Sequence, residues 1–248
     1  MSESKNDLVS KVVSLCKRRG IVFQNSEIYG GVQGFYDYGP VGSQMKLNWK
    51  NLWWQENVIH RRDIVGIDGS IITHPTVWQA SGHIKNFADI MVECKKCHKR
   101  FRPDLLDNPN KCPDCGGEFT EGRKYNILFE TKIGVIDGEK QHAYLRGEAC
   151  QTIYLNFKNI IDSTRIKIPF GIAQIGKAFR NEITPKNFLY RTREFEQWDI
   201  QYFVHPSEMD KWYEYWKENR MTWYQKYFNQ PENLRFRQHQ KDELAFYD

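Results

Sequence analysis

Residues 171–203 predict two long β-strands joined by a short polar turn. Residues 172–182 and 190–203 alternate apolar and polar side chains, the period of a strand with one buried face. The connecting residues Thr184-Pro185-Lys186-Asn187 are typical of a turn, because proline fixes φ and asparagine tolerates a tight bend. The chain is therefore expected to be organised around an antiparallel hairpin.

This predicted hairpin carries more charge than a plain hairpin needs. Arg180 and Glu182 close the first strand, and the second strand places four charged residues around Phe195, namely Arg191, Arg193, Glu194 and Glu196. Two arginines near a ring that can stack, with several carboxylates, suit a nucleoside triphosphate beside a small cation. A solvated face with cross-strand ion pairs is the alternative interpretation.

Length and charge set broad limits on the function. The chain has 248 residues, with 36 Lys and Arg against 31 Asp and Glu, a net charge of +5. That balance permits contact with nucleic acid without arguing for it. The N-terminus shows no secretory signal, and no apolar run approaches the roughly 18 residues that span a bilayer. We therefore expect a soluble, cytoplasmic protein with no membrane partner.

Four of the six cysteines form two Cys-x-x-Cys pairs, Cys94 with Cys97 and Cys112 with Cys115. This spacing predicts a tetrahedral Zn²⁺ site with four thiolates in a small ribbon over residues 91–124. A redox dithiol is the alternative, but one pair would suffice for it. The expected role of the metal is structural, because so short a ribbon cannot build its own core. Cys16 and Cys150 are expected to be small buried hydrophobes.

The remaining segments predict helices and strands in alternation. Residues 7–19 and 41–60 have helical periodicity, and the second helix is expected to bury Leu47, Leu52, Trp53 and Val58. Strands are predicted over residues 64–73, ending at Pro75, and over 125–131. A helix or helix–strand junction is predicted over 153–161, and a helix opens near Ser207. The Gly30-Gly31 bend favours a structural turn over a phosphate-binding loop.

The hairpin sequence FRNEITPKNFLYRTREFEQ resembles motif 2 of the class II aminoacyl-tRNA synthetases, in the form found in homodimeric glycyl-tRNA synthetases. The helix, strand and Pro75 resemble motif 1 of the same family. The resemblance implies an α+β fold, with an antiparallel β-sheet flanked by helices and an inserted four-cysteine zinc ribbon. It also implies three regions: residues 1–90 with motif 1, the ribbon at 91–124, and residues 125–248 with motif 2.

The resemblance further implies ATP-dependent activation of glycine to glycyl-adenylate and its transfer to tRNA(Gly) by a homodimer. ATP would bind with Mg²⁺. Arg180 and Glu182 would be the catalytic residues, Arg180 on the α-phosphate and Glu182 on the adenine amino group or orienting Arg180. The implied ATP-binding set is Arg180, Asn181, Glu182, Tyr190, Arg191, Thr192, Arg193, Glu194 and Phe195.

For glycine, the resemblance assigns the α-ammonium to Glu148 and places Asp199 where the family has a glutamate. The other implied glycine contacts are Arg102, Phe195, Glu196, Gln197 and Trp198. Three neighbours of Glu148 depart from the usual Pro, Thr and Ala of the family: Gly147, Ala149 and Cys150. A structural salt bridge is the alternative for Glu148. For His83, in the Ser-Gly-His sequence, a hydrogen-bonded surface residue is as good an interpretation as any role.

Motif 3 and the anticodon-binding domain of the family have no counterpart after the hairpin. The sequence therefore predicts a fragment or a shortened form that does not make glycyl-tRNA efficiently alone. The alternative function is a non-catalytic, synthetase-derived zinc-ribbon protein that binds RNA or regulates.

Overall fold

The computed structural model describes residues 5–185 and 188–244 and consists of seven α-helices and eleven strands within those ranges. The helices are α1 Lys5–Arg18, α2 Pro40–Trp54, α3 Pro75–Ala80, α4 His83–Asn86, α5 Cys150–Leu155, α6 Phe157–Thr164 and α7 Met209–Tyr227. The strands are β1 Val22–Gln24, β2 Tyr36–Tyr38, β3 Ile64–Gly66, β4 Ile72–Thr73, β5 Ala88–Glu93, β6 Arg100–Phe101, β7 Arg123–Asn126, β8 Phe129–Ile133, β9 Gln141–Leu145, β10 Phe170–Phe179 and β11 Glu194–Phe203.

The predicted hairpin is β10 and β11, which pair antiparallel along their whole length from Phe170↔Phe203 to Phe179↔Glu194. β3 joins the other edge of β10 in parallel, giving the order β11-β10-β3. Both long strands are shorter than predicted. Arg180 and Glu182 lie beyond β10, and Arg191 precedes β11. Of the predicted turn, Lys186 and Asn187 lie outside the described residues.

Helices cover both faces of this sheet, as strand alternation requires when both faces carry apolar side chains. On one face, Trp53 and Val58 from α2 and its π-helical extension Gln55–Ile59 pack with Ile64 and Ala173, joined by two tryptophans of α7. On the other face, a cluster from α5, α6 and β10 comprises Ile153, Ile160, Phe170 and Ile172. The arrangement confirms the α+β class with antiparallel pairing and flanking helices.

Two further three-stranded sheets extend the fold. The sheet β4-β9-β8 is antiparallel and delivers the chain from β9 directly to Arg146 and Glu148. The sheet β6-β5-β7 belongs to the ribbon that carries the four paired cysteines. No helix within the described ranges has both the length and the apolar character that crossing a bilayer requires.

Several local predictions were wrong. Leu47, predicted to be buried, is 48% exposed on the outer side of α2. Residues 64–73 form two short strands, β3 and β4, and Pro75 opens α3 at its first position. The predicted strand 125–131 is interrupted, because the Asn126 side chain accepts a hydrogen bond from the Leu128 N–H and the chain turns there. Cys16 and Cys150 are half-buried.

Candidate active site

A cleft of about 770 Å³ lies where β11 faces α5 and the loop before it. Gln197, Asp199 and Gln201 project into it from one face of β11, since side chains two residues apart share a face. Glu148 and His83 close it from the opposite side. The cleft therefore combines several polar groups in a concave site.

Glu148 is the most strongly perturbed carboxylate of the cleft. Its side chain is only 10% exposed, and Oε2 lies 3.2 Å from His83 Nε2. The amide of Gln151 donates to the same oxygen at 3.2 Å, and Arg180 Nη2 lies 3.5 Å from Oε1. Burial acts to raise the pKa of Glu148, but the contacts with His83, Gln151 and Arg180 outweigh it and lower the pKa to about 2. Glu148 is consequently a fixed anion at neutral pH.

His83 is a cleft residue that the sequence did not assign to the site. It is 1% exposed, which excludes the surface histidine considered for it. Its ring packs between Trp78 at 5.1 Å and Phe87 at 4.9 Å, and Nδ1 lies 2.9 Å from the Ser81 hydroxyl. The Ser-Gly-His sequence was the available signal, but nothing local to it indicates a contact with Glu148.

Asp199 shares the cleft with Glu148 and has the opposite tendency. Burial raises the pKa of Asp199, and the negative charge of Glu148 raises it further. Gln201 Nε2 opposes this by donating to Asp199 Oδ1 at 2.9 Å. Two carboxylates thus face one cavity, an arrangement that suits a cation and disfavours an anion.

The segment that holds Glu148 is tied to the hairpin by buried hydrogen bonds. The Ala149 N–H donates to Gln197 Oε1 at 2.7 Å, and the fully buried Gln174 amide donates to Ala149 O and to Thr152 Oγ1. Arg146, 1% exposed, donates to Lys177 O at 2.7 Å and to Gly69 O at 2.8 Å. Hydrogen bonds of the residues before and after Glu148 therefore fix its position relative to β10 and β11.

Arg180 stands between the two predicted halves of the site. Its guanidinium lies 5.0 Å from the Phe87 ring and 5.3 Å from the Phe195 ring. Nε donates to Gly147 O at 3.2 Å, next to Glu148. The side chain thus connects Phe195, predicted for adenine, to Glu148, predicted for glycine.

Glu182 and Arg191 form a second, loosely satisfied charged group. Glu182 is 8% exposed, and its Oε2 lies 3.8 Å from Arg191 Nη1. Neither of these two buried atoms has a hydrogen-bond partner among the described residues. Burial raises the pKa of Glu182, against the lowering effect of Arg191. Its one ion pair in the described part of the chain is with Arg191, not with Arg180.

Arg102 lies with this second group and is not among the residues lining the cleft of Glu148. It pairs with Asp89 at 2.5 Å and with Asp104 through two nitrogens. The charge of Glu182 is close enough to raise the pKa of Arg102. The structure therefore brings Arg102 together with the predicted ATP residues and apart from Glu148.

Other predicted ATP-binding residues make contacts within and around the loop between β10 and β11. Arg193 donates to Glu182 O and Gln33 O, and its backbone pairs with Arg180 N and Gly34 O. Asn181 N–H donates to Ile127 O, and Thr192 Oγ1 donates to Glu194 O. Glu194 pairs with Lys177, while Tyr190 is 88% exposed. The contacts of Arg193 therefore stabilise the loop between β10 and β11.

Two predicted glycine residues lie on the other face of β11. Glu196 pairs with Lys46 at 3.0 Å and Lys50 at 3.4 Å, both on α2. The Trp198 ring lies 6.0 Å from the Trp53 ring, in the core beneath α2. Strand alternation accounts for this, since residues 196 and 198 alternate with 197 and 199. Trp198 nevertheless also contributes to the lining of the cleft that holds Glu148, whereas Glu196 does not.

The four paired cysteines converge in the ribbon. The sulfur atoms of Cys94, Cys97, Cys112 and Cys115 all lie within 4.8 Å of one another, with 3.5 Å between Cys94 and Cys115 and 3.6 Å between Cys97 and Cys112. A tetrahedral zinc with Zn–S bonds of about 2.3 Å places its sulfurs about 3.8 Å apart. The four thiols therefore have the spacing to hold such an ion.

Comparison with known proteins shows similarity of two kinds. Residues 129–248 match the family model of the tRNA synthetase class II core domain (G, H, P, S and T). A glycine–tRNA ligase of Treponema denticola is 55% identical over 243 residues, covering 96% of this chain and 54% of the relative. The ligases of Borrelia garinii and Treponema pallidum are 50% and 49% identical, at 54% and 52% of their own lengths. This chain thus spans about half the length of these relatives.

A solved structure supports the fold. The crystal structure of the RNA binding domain of threonyl-tRNA synthetase from Cryptosporidium parvum superposes with a TM-score of 0.52, at 19% identity, over 80% of this chain and 38% of that chain. Identity at this level supports a shared fold only.

Proposed function

The chain belongs to the class II aminoacyl-tRNA synthetases, and from this membership we propose that it activates glycine with ATP for attachment to tRNA(Gly). In the proposed reaction a carboxylate oxygen of glycine attacks the α-phosphorus of ATP. The bond from that phosphorus to the bridging oxygen breaks, and pyrophosphate leaves. ATP enters as its magnesium complex. No protein nucleophile is needed, so the work of the side chains is positioning and charge stabilisation.

One observation carries the proposal: Arg180 links Phe195 to Glu148. Its guanidinium lies 5.3 Å from the Phe195 ring and 3.5 Å from Glu148 Oε1. A cation at this junction is placed between a stacking surface and an anion. There it can neutralise the negative charge that develops where a glycine carboxylate meets an α-phosphate.

The amino-acid part of the proposal depends on Glu148. Because its pKa is lowered to about 2, it is ionised at neutral pH and can accept hydrogen bonds from an α-ammonium. Asp199 and Gln197 complete the proposed contacts, since both line the same cleft. Trp198 lines this cleft as well and also packs against Trp53 of α2, whereas Glu196 pairs with lysines of α2 and lies outside the proposed contacts.

The nucleotide part depends on Phe195, Arg191 and Glu182. Phe195 provides an aromatic face for adenine, worth about 1–3 kcal/mol where base stacking has been measured. The buried Nη1 of Arg191 and Oε2 of Glu182 each lack a hydrogen-bond partner among the described residues. A bound nucleotide would satisfy both, the arginine with a phosphate oxygen and the carboxylate with the adenine amino group.

We also propose a structural zinc in the ribbon, held by Cys94, Cys97, Cys112 and Cys115. The sulfur separations support a four-thiolate zinc, and the ion would supply the stability that so small a ribbon lacks. A homodimer in the cytoplasm completes the proposal. The dimer is inferred from the motif 1 resemblance of the region around Pro75, and sedimentation equilibrium would test it.

The test is glycine-dependent exchange of pyrophosphate into ATP, supported by calorimetric titration of glycine and ATP. Slow exchange is expected with glycine and none with alanine, and Glu148→Gln should reduce the exchange by about 100-fold or more, because an uncharged amide replaces the anion that pairs with the ammonium. Glu121→Gln, an exposed substitution, is the control. Absence of both exchange and glycine binding would contradict the proposal. RNA binding without either ligand would support the non-catalytic alternative.

A further inference from the structure

Three side chains from α5 and β11 form a hydrogen-bonded chain that ends on Asp199. The Tyr154 hydroxyl donates to Gln201 Oε1 at 2.6 Å. Gln201 Nε2 then donates to Asp199 Oδ1 at 2.9 Å. Asp199 and Gln201 lie two residues apart on β11 and share the cleft face, and Tyr154 reaches them from the last turn of α5.

The polarity of this chain is fixed by the chemistry of its ends. A carboxylate can only accept, so the Gln201 group facing Asp199 must be the amide nitrogen. The Tyr154 hydroxyl donates a hydrogen bond to the carbonyl oxygen of the same amide and so stabilises that orientation. If the amide flipped, the carbonyl oxygen would meet a carboxylate oxygen, which is repulsive. Tyr154 thus determines that the amide nitrogen of Gln201, and not its oxygen, faces Asp199.

Asp199 needs such a donor because its surroundings oppose its charge. The titratable groups that interact with it are Glu148, the Cys150 thiol at the start of α5 and Tyr154 at its end, and none of these three is a cation. His83 also lines the cleft, where its ring contacts Glu148. Burial and the charge of Glu148 raise the pKa of Asp199, and the hydrogen bond from Gln201 lowers it. Loss of this bond would therefore favour the protonated acid.

We propose that Tyr154 and Gln201 are positioning residues that keep the Asp199 carboxylate oriented and charged toward the amino-acid cation in the cleft. This inference rests on the proposed function, since it takes the ligand of the cleft to be the α-ammonium of glycine. Aspartate is one methylene shorter than glutamate, so its reach depends on its rotamer. Tyr154 and Gln201 restrict the rotamer of Asp199. The fixed orientation of its carboxylate then compensates for the shorter side chain.

Two conservative variants test this chain of hydrogen bonds without creating a cavity in the core. Gln201→Glu keeps the shape of the side chain but replaces the donor by a carboxylate, and Tyr154→Phe removes only the hydroxyl of a half-exposed ring. Tyr213→Phe, on the exposed side of α7, is the matched control. Circular dichroism and thermal melting establish that each variant is folded.

The first measurement is the pH titration of Asp199 in the isolated protein, followed by NMR of its side-chain carboxyl carbon. Gln201→Glu is expected to move its midpoint upward by about one pH unit, and Tyr154→Phe by a smaller amount in the same direction. The second is the Kd for glycine by calorimetry, which should weaken about tenfold in Gln201→Glu at a pH near the Asp199 midpoint. Tyr213→Phe should change neither quantity.

The outcomes separate the two proposals. If neither Gln201→Glu nor Tyr154→Phe moves the Asp199 midpoint, the positioning role is wrong whatever the protein binds. If the midpoint moves but the Kd for glycine is unchanged, the positioning role is also wrong, because Asp199 then does not serve the ligand. If the wild-type protein binds no glycine, the proposed function fails, and the NMR titration alone decides whether the chain controls Asp199.

Discussion

His83 Nε2 lies 3.2 Å from Glu148 Oε2, with both side chains almost completely enclosed. The contact joins the start of α4 to the segment that precedes α5. Its environment is aromatic on the histidine side, where Trp78 and Phe87 flank the ring. The carboxylate proposed to receive glycine is thus fixed by a partner that belongs to a distant part of the chain.

Replacement of His83 by alanine should destabilise the protein by about 1–3 kcal/mol, because a buried oxygen of Glu148 loses a hydrogen-bonding partner. His83→Gln should recover part of the loss, since its amide also donates. Urea denaturation of the three proteins measures the difference, with His60→Ala at an exposed position as the control. Equal stability of wild type and His83→Ala would show that the contact contributes nothing to folding.

Glu148 should make the protein sensitive to acid. Its folded pKa is about 2, below the ordinary 4.5, so its ionised form stabilises the native state. That contribution is complete above pH 4.5 and is lost as the pH falls toward 2. Glu148→Gln should therefore flatten the decline of unfolding free energy across this window, while Glu121→Gln should leave it unchanged. Parallel declines in wild type and Glu148→Gln would contradict this assignment.

The hairpin was predictable from the sequence because its alternation is strictly local. Where each strand ends was not, because the ends depend on remote partners. The Arg180 N–H still donates to Arg193 O, but the Arg193 N–H donates to Gly34 O and the Arg193 side chain donates to Glu182 O, so the strand pairing does not continue to Glu182. No local pattern contains a contact with Gly34.

The candidate site shows the same division. Glu148, Gln197 and Asp199 were identified through a resemblance in short motifs, and the structure places all three around one cleft. Strand parity places the side chains of Glu196 and Trp198 on the face of β11 opposite to Gln197 and Asp199, and of the two only Trp198 also contributes to the cleft lining. His83 could not be assigned, because its contact with Glu148 arises only from the packing of α4 against the segment before α5.

Zinc content should follow the four clustered cysteines. The purified protein is expected to hold about one zinc per chain, and Cys112→Ser should weaken zinc retention about tenfold or more, since one of four thiolates is lost. Cys16→Ser, outside the cluster, should retain the metal. Atomic absorption gives the metal content, and hydrogen exchange of β5 and β6 reports whether the ribbon opens on chelation. Unchanged zinc content in Cys112→Ser would exclude that residue as a ligand.

Gly147 should resist substitution by any residue with a side chain. A Cβ at this position would lie 2.8 Å from Leu128 Cδ2 and 3.0 Å from Phe87 Cε1, closer than packed carbons approach. Leu128 is 4% exposed in a core cluster with Trp78, so it has little room to move. Gly147→Ala should therefore cost about 1–3 kcal/mol of stability by overpacking.

A double-mutant cycle with Leu128→Ala separates this steric cause from a backbone effect. If the Cβ clashes with the leucine methyl, Gly147→Ala should cost clearly less in the Leu128→Ala background than in the wild type, an interaction energy of about 1 kcal/mol or more. A backbone preference for glycine would make the cost the same in both backgrounds. Because Gly147 O accepts from Arg180 Nε, overpacking should also displace the guanidinium and weaken ATP binding, and relief by Leu128→Ala should restore it. Calorimetry with ATP on the same four proteins would therefore show whether the packing beneath Gly147 controls the position of Arg180.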